Sequence, residues 1–469
     1  MPTSTADVLV PVNDTAIQPL VLLSDLAERP TRVRYGVLAF LCTLTFVLYL
    51  DRVCMGKAAV PMQRELGLSD TAMGFVHGAF MVSYAVFELP VGRWGDRYGS
   101  RGVLTRIVLC WSLFTAMTGA MYNFWGLVIV RFLFGAGEAG GFPNAARVVA
   151  RWFPGQARGP AQGIVVASAQ VGGAISPVVA AYLIELVGWR WTFVIFGLAG
   201  VIWAVSFYAW FRDNPAEHSG TNEAERRLLN CDEPAALGRP HEPIPWSIVL
   251  TSPNLWLLGG AMNCGAFAFY MYVSWFPKYL ESTRGVGPIL SGWLSSSILA
   301  GGAIGCLAGG YIGNWVLARV DDRRRARRII GCSGFALAAV SLVIGVNCES
   351  PLATSLWTAM ALLAGQVQLT VWWATAADIS GKHVGAMFGL MNSMGGFAAF
   401  GSQVFFGWFG DWMVSIGYEG RAKWDPAFYV YATVYAIGAI LWLFIDANRS
   451  IVAGSGPSPV CREPNDLQA

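Results

Sequence analysis

Apolar stretches long enough to cross a bilayer recur twelve times in this chain, at 34–55, 71–93, 101–121, 124–148, 160–187, 190–211, 254–280, 289–316, 329–346, 353–378, 383–410 and 425–446. A span takes about 17–25 such residues. Within hydrocarbon the backbone must satisfy its own hydrogen bonds, and stretches of this length do so as helices. The expected fold is an all-α membrane protein of twelve transmembrane helices. The composition agrees: of 469 residues, 55% are hydrophobic and 13% charged, with mean hydropathy +0.49. Soluble domains carry about 25% charged residues, so this chain is too apolar for water.

A polar segment, 212–250, separates the sixth stretch from the seventh and holds Pro215, Pro234, Pro240, Pro243, Pro245 and the charged run NEAERRLL. It reads as a cytoplasmic linker between two six-helix bundles, 34–211 and 251–446, with tails at 1–33 and 447–469. The first 30 residues lack a basic n-region and a small-residue cleavage site, so they read as a tail and not a signal peptide. With both termini cytoplasmic, 22 basic residues fall inside and only seven outside: Lys57, Arg64, Arg190, Lys278, Arg284, Arg421 and Lys423. That asymmetry sets the expected orientation. Arg52, Arg106 and Arg131 remain within spans. The halves also repeat weakly. Gly92 and Gly95-Asp96 fall opposite Gly310 and Gly313-Asn314, and Gly163 and Ser176 match Gly389 and Ser402 at an offset of 226. Parallel six-span repeats are a transporter architecture, with the substrate site near the midplane.

Other chemistries find little support. Four histidines leave little for metal sites, and nine cysteines include no C-x-x-C pair and read as small packing residues. GAGEAG (Gly135 to Gly140) matches a dinucleotide fingerprint, but no acid occurs between Glu138 and Glu185 to hold a ribose. Its glycines fit better as small residues that let membrane helices approach. No nucleophile–base cluster suggests an enzyme. No cofactor, metal or nucleic-acid partner is expected, and a monomer in the bilayer is.

The informative residues are charges inside apolar sequence. Each charge at a helix centre costs roughly 2.5–3.5 kcal/mol on insertion scales, so such groups usually mark a substrate or ion path. Asp51 and Arg52 stand side by side near the end of the first stretch, where snorkelling to the outer interface is the alternative reading. Arg131 and Glu138, seven residues apart, share one helix face, and an internal ion pair is their bland reading. His77, Tyr84 and Glu88 form a polar stripe on the second stretch. For His77 a structural hydrogen bond is favoured over a proton relay. Gln170 and Asn392 are isolated polar groups, and Trp373 is open between packing and binding.

GRWGDRYGSR (Gly92 to Arg101) resembles the cytoplasmic signature loop of the major facilitator superfamily. YLDR in the first span, Tyr84, RFLFGAGEAGGFPNAARVVARWFP, SAQVGGAISP, WATAADI and GLMN resemble its anion:cation symporter family, which includes bacterial galactonate, glucarate and hexuronate permeases and a tartrate and phthalate branch. The resemblance covers the whole membrane portion. It implies that Arg52 and Arg131 hold a substrate carboxylate, which suits arginine's planar fork. It implies that Asp51 and Glu138 take the coupled protons, and that Tyr49, Tyr84, Gln170, Trp373 and Asn392 line the polyol part of the cavity. Gly92, Gly95, Asp96, Arg97 and Arg101 would form the gate. Two departures stand out: Glu88, where galactonate-type members usually have an amide, and DISGKHVG, without the family's frequent proline.

The expectation is an importer in a bacterial inner membrane, moving a small organic anion such as a sugar acid together with protons by alternating access. The rivals are a proton-antiport exporter, whose signature in the fifth span is only partial (Gly163, Gly172, Ser176-Pro177), and a non-transporting membrane receptor.

Overall fold

A computed structural model of the chain describes residues 29–230, 246–380, 384–449 and 451; within helices, the side chains at 89, 92–97, 230, 246, 248 and 384–386 lie outside that description. The first six-span half is built from α1 (Val33–Leu66), α2 (Asp70–Tyr98), α3 (Ser100–Gly119), α4 (Phe124–Glu138), α5 (Gly141–Trp152) and α6 (Gly155–Trp210). Two short helices follow, α7 (Glu223–Asn230) and α8 (Trp246–Thr251). The second half holds α9 (Pro253–Ser274), α10 (Phe276–Thr283), α11 (Pro288–Leu317), α12 (Arg323–Asn347), α13 (Pro351–Ser380), α14 (Val384–Ser415) and α15 (Gly420–Phe444). No β-strand occurs among the described residues.

These helices stand as twelve columns. α6 contains two of them, which meet at Gly188 with φ of 80°, a turn that an L side chain rarely adopts. α4 and α5 share one column, and so do α9 and α10. Eight helices meet a bare test of length and apolarity, with α6 counted once; α2, α9 and α14 fall short because glycine and polar residues dilute them. The expected twelve-helix, all-α fold is what the chain forms.

Within the first half, α1 and α3 pack on α6, and α2 on α4; within the second, α13 packs on α11 and α12, and α15 on α9 and α12. The halves meet along two seams, α2 with α14 and α6 with α11. Glycine makes the first seam close. A Cβ on Gly74 would lie 2.6 Å from the Gln403 carbonyl oxygen, and one on Gly407 only 2.1 Å from that of Asp70. Small residues let the backbones approach in this way, and van der Waals contact then replaces the missing hydrophobic drive of water.

One end of the seam is also locked by charge. The Asp70 carboxylate accepts hydrogen bonds from Gln63 (2.9 Å) and Lys423 (2.6 Å) and pairs with Lys278. Asp411 accepts from the backbone N–H groups of Asp70 (3.2 Å) and Thr71 (2.8 Å), and Lys57 pairs with Glu281. These contacts draw α1 and α2 to α10, α14 and α15. The closed end carries four of the seven basic residues assigned outside, namely Lys57, Lys278, Arg421 and Lys423. Gly407→Val should therefore force this end open. In a Cys-free background with Ser274→Cys, an impermeant thiol reagent added outside should react at least about fivefold faster, the change that an overpacking cost of about 1–3 kcal/mol produces. An unchanged rate would show that the seam closes without this contact.

Candidate functional site

The site begins with the length of α1. Its helix continues through Leu66, so Asp51 and Arg52 stand mid-helix and not at its end. Asp51 is 1% exposed and Arg52 8%, which rules out snorkelling to an interface. Successive residues on a helix point about 100° apart, so these two neighbours face different partners.

Arg52 reaches across to α4. Its Nε donates to Glu138 Oε1 at 3.0 Å, and its Nη2 binds the same oxygen. Glu138 is fully buried and is the last residue of α4. The helix breaks beyond it at Ala139 and Gly140, where Gly140 takes φ of 90° before α5 begins. The GAGEAG glycines thus do two jobs. Gly135 permits close approach, since a Cβ there would lie 2.6 Å from the Phe80 carbonyl oxygen, whereas Gly140 ends the helix. The rings of Tyr49, Phe80 and Tyr84 surround the Arg52 guanidinium at 5.1, 4.9 and 4.9 Å. Such contacts favour a cation that has left water.

Arg131 and Glu138 do not form the internal ion pair that their shared face allows. Two helical turns separate them by about 10.5 Å along the axis. Arg131, 3% exposed, lies instead over Phe134 at 4.5 Å and Phe80 at 5.4 Å, and its Nε has no hydrogen-bond partner. Asp51 sits beside the Trp111 indole, each without a hydrogen bond of normal geometry. Glu138 Oε2 is likewise unpartnered. Two acids and two arginines therefore share a buried compartment in which only Arg52 and Glu138 are firmly joined. Incompletely paired buried charge is costly.

A small cavity opens on the other side of Arg52, between the halves. Tyr49, Arg52 and Gln170 line it from the first half, and Phe269, Tyr270 and Gln366 from the second. Its volume, about 10 Å³, is room for roughly one water.

The stripe on α2 faces this junction throughout. His77 is buried edge-on against Trp275 at 5.5 Å, and its Nε2 finds no hydrogen-bond partner, so the expected structural bond is absent at that nitrogen. The Tyr84 ring is one of the three around Arg52. Glu88 Oε2 accepts from Asn392 Nδ2 at 2.6 Å, bridging α2 to α14. Trp373 is 42% exposed and lies tilted against Phe388 at 4.7 Å. Of the expected gate, the side chains of Gly92, Gly95, Asp96 and Arg97 lie outside the described residues. Arg101 donates from Nε and Nη2 to the Tyr208 carbonyl oxygen at 2.9 and 2.6 Å.

Tyr270 and Gln366 are not among the residues expected from the sequence. The isolated-amide criterion that selects Gln170 applies equally to Gln366 in AGQVQLT, while Tyr270 is hidden among the aromatics of FAFYMY.

The residues at 41–402 match the Major Facilitator Superfamily profile. A probable sulfoacetate transporter of Cupriavidus necator is 28% identical over 415 residues, covering 88% of this chain and 94% of that protein. A probable galactarate/D-glucarate transporter of Escherichia coli is 30% identical, covering 78% and 85%. Among solved structures, a bacterial homolog of the human lysosomal transporter Spinster, in an inward-facing and occupied conformation, superposes with a TM-score of 0.71 at 18% identity over 88% of this chain and 96% of its own, a likeness of fold alone. Twelve helical columns in two packed halves, buried charges in the first half with Arg52 at the cavity between the two, and this match over most of the chain have one meaning: the chain belongs to the Major Facilitator Superfamily.

Proposed function

We propose that this protein is a proton symporter that imports a small organic anion, of the hexonate, aldarate or hexuronate class, across a bacterial inner membrane by alternating access. The observation that carries the reading is the position of Arg52. One side of its guanidinium binds Glu138, and the same residue lines the cavity between the halves. A substrate carboxylate entering there competes with Glu138 for the fork. Glu138, stripped of its partner, is costly as a buried anion and far less so once protonated, so substrate and proton are taken together. Asp51 is the second proton site, next to Arg131. It is not the partner of Arg52, despite being its chain neighbour. Tyr49, Tyr84 and Gln170, with Tyr270 and Gln366 opposite, supply hydroxyl and amide groups for a polyol. The relatives named as probable transporters of sulfoacetate and of galactarate/D-glucarate support a small-anion substrate.

The test is uptake into proteoliposomes from a panel of hexonates, aldarates, hexuronates and sulfoacetate, with and without an inward proton gradient. A sugar acid should accumulate only with the gradient. Accumulation of sulfoacetate alone would move the substrate class, and accumulation against an outward proton gradient would make the protein an antiporter. Orientation has its own check. In a Cys-free background, an outside-only label should reach a Cys at Arg421 and miss one at Arg325; the reverse pattern would invert the topology.

A further inference from the structure

A second cavity lies far from the charged centre, between the start of α9, the start of α12 and the turn after α15. At about 390 Å³ it dwarfs the central one and falls in the range of small-molecule sites, about 300–1,000 Å³. Arg324, Asn254, Asp446 and Arg449 form its polar wall, and Leu257 and Phe444 its apolar wall. Asn254 is committed to shaping it. Its Nδ2 donates to the carbonyl oxygens of Asp446 (2.9 Å) and Arg449 (3.0 Å), while its Oδ1 accepts from the Asp446 N–H (3.0 Å). The turn after α15 is thereby pinned to α9.

The arginines are not used up. Arg324 Nη1 lies 3.3 Å from Asp446 Oδ2, but its Nε is enclosed without a hydrogen-bond partner. Arg449 is exposed and forms no ion pair among the described residues. Arg328 stands close by and spends its Nε on the Ile445 carbonyl oxygen. Three arginines thus meet two carboxylates, Asp446 and Asp322, of which Asp322 already accepts from Asn448 Nδ2 at 3.1 Å and from the Arg324 N–H at 3.0 Å, and the cavity is short of negative charge. Next to the polar rim the surface turns apolar: Phe444 is 62% exposed and Leu443 and Trp256 about half. Tryptophan sits characteristically at the headgroup level of a bilayer.

A basic cavity that opens beside an exposed apolar wall has the cross-section of an anionic phospholipid. We propose that it seats the phosphate headgroup of an anionic lipid of the cytoplasmic leaflet, with Arg449 and Arg324 on the phosphate and the acyl chains along Phe444 and Leu443. Basic pockets between helices on the cytoplasmic side recognise such headgroups. The proposal rests on the cytoplasmic placement of this face, which the label at Arg325 tests separately.

The experiment uses the full-length protein in detergent micelles, with bound lipid counted by native mass spectrometry. Phosphatidylglycerol, phosphatidylethanolamine and inorganic phosphate are added in separate arms. Phosphatidylglycerol should bind in preference to phosphatidylethanolamine, and equimolar phosphate should not displace it. Arg449→Gln should weaken phosphatidylglycerol about fivefold, and Arg324→Gln with Arg449→Gln about 30-fold, the scale set by each basic residue near a membrane surface. Arg449→Lys should bind nearly as wild type. Because Arg324→Gln strands Asp446, the single Arg449→Gln keeps the result readable if the double variant folds poorly. Equal binding of the two lipids, or no effect of Arg449→Gln, would overturn the proposal. So would phosphate displacing the lipid with the same arginine dependence, which would make this a site for soluble anions.

Discussion

Arg52→Lys is expected to abolish saturable binding of the transported anion, lowering affinity by at least about 100-fold. The guanidinium gives its Nε and Nη2 to Glu138, and Arg52 also lines the cavity between the halves. A lysine ammonium is a point charge that cannot serve a fork-shaped contact on both sides. Breaking a buried pair by removing one partner costs about 3–5 kcal/mol, which corresponds to a factor of about 150 or more. Arg52→Ala should also lower thermal stability, because Glu138 is fully buried and would be left alone. Adding Glu138→Gln should restore stability without restoring binding. Wild-type affinity in well-folded Arg52→Lys protein, measured by substrate-induced quenching of tryptophan fluorescence, would remove Arg52 from the site.

The second large effect concerns the acids. Glu138→Gln keeps an oxygen acceptor for Arg52 but has no charge to gain or lose. It should fail to concentrate substrate, holding an inside-to-outside ratio near one. One coupled proton across a gradient of one pH unit sustains about a tenfold ratio in the parent, since one pH unit is worth about 1.4 kcal/mol. Counterflow exchange, which needs binding and rocking but no net proton movement, should persist. Asp51→Asn should behave the same way in kind while leaving the Arg52–Glu138 bond in place. If it concentrates substrate as the parent does, Asp51 is a structural neighbour of Arg131 and Trp111.

The twelve columns are legible in the amino-acid sequence from the length of the apolar stretches alone, because hydrocarbon leaves few options to the backbone. The membership of the charged centre is legible too, because charges in such sequence are rare. The pairing is not. Asp51 next to Arg52 suggests a couple, yet adjacent helix positions diverge by about 100°, and the true partner of Arg52 is Glu138, 86 residues away. The break after Glu138 depends on the positive φ of Gly140, which a run of several glycines does not assign to any one of them. The lock at the closed end joins Asp70 to Lys278 and Lys423 across 208 and 353 residues, a relation that only the packing of the halves creates. Gln366 is within reach of the same reasoning that selects Gln170. Trp373 is not, because an aromatic in an apolar helix looks alike whether it lines a cavity or packs against a neighbour such as Phe388.

The central claim is that the substrate carboxylate takes Arg52 from Glu138 and that Glu138 then takes a proton. Proton uptake on substrate binding tests it most directly, followed with purified protein in weakly buffered solution by a pH indicator under saturating substrate. The parent should bind protons as the substrate binds, and Glu138→Gln should bind about one fewer per molecule at the same substrate occupancy. Proton uptake of equal size in Glu138→Gln, or none in the parent, would contradict the account.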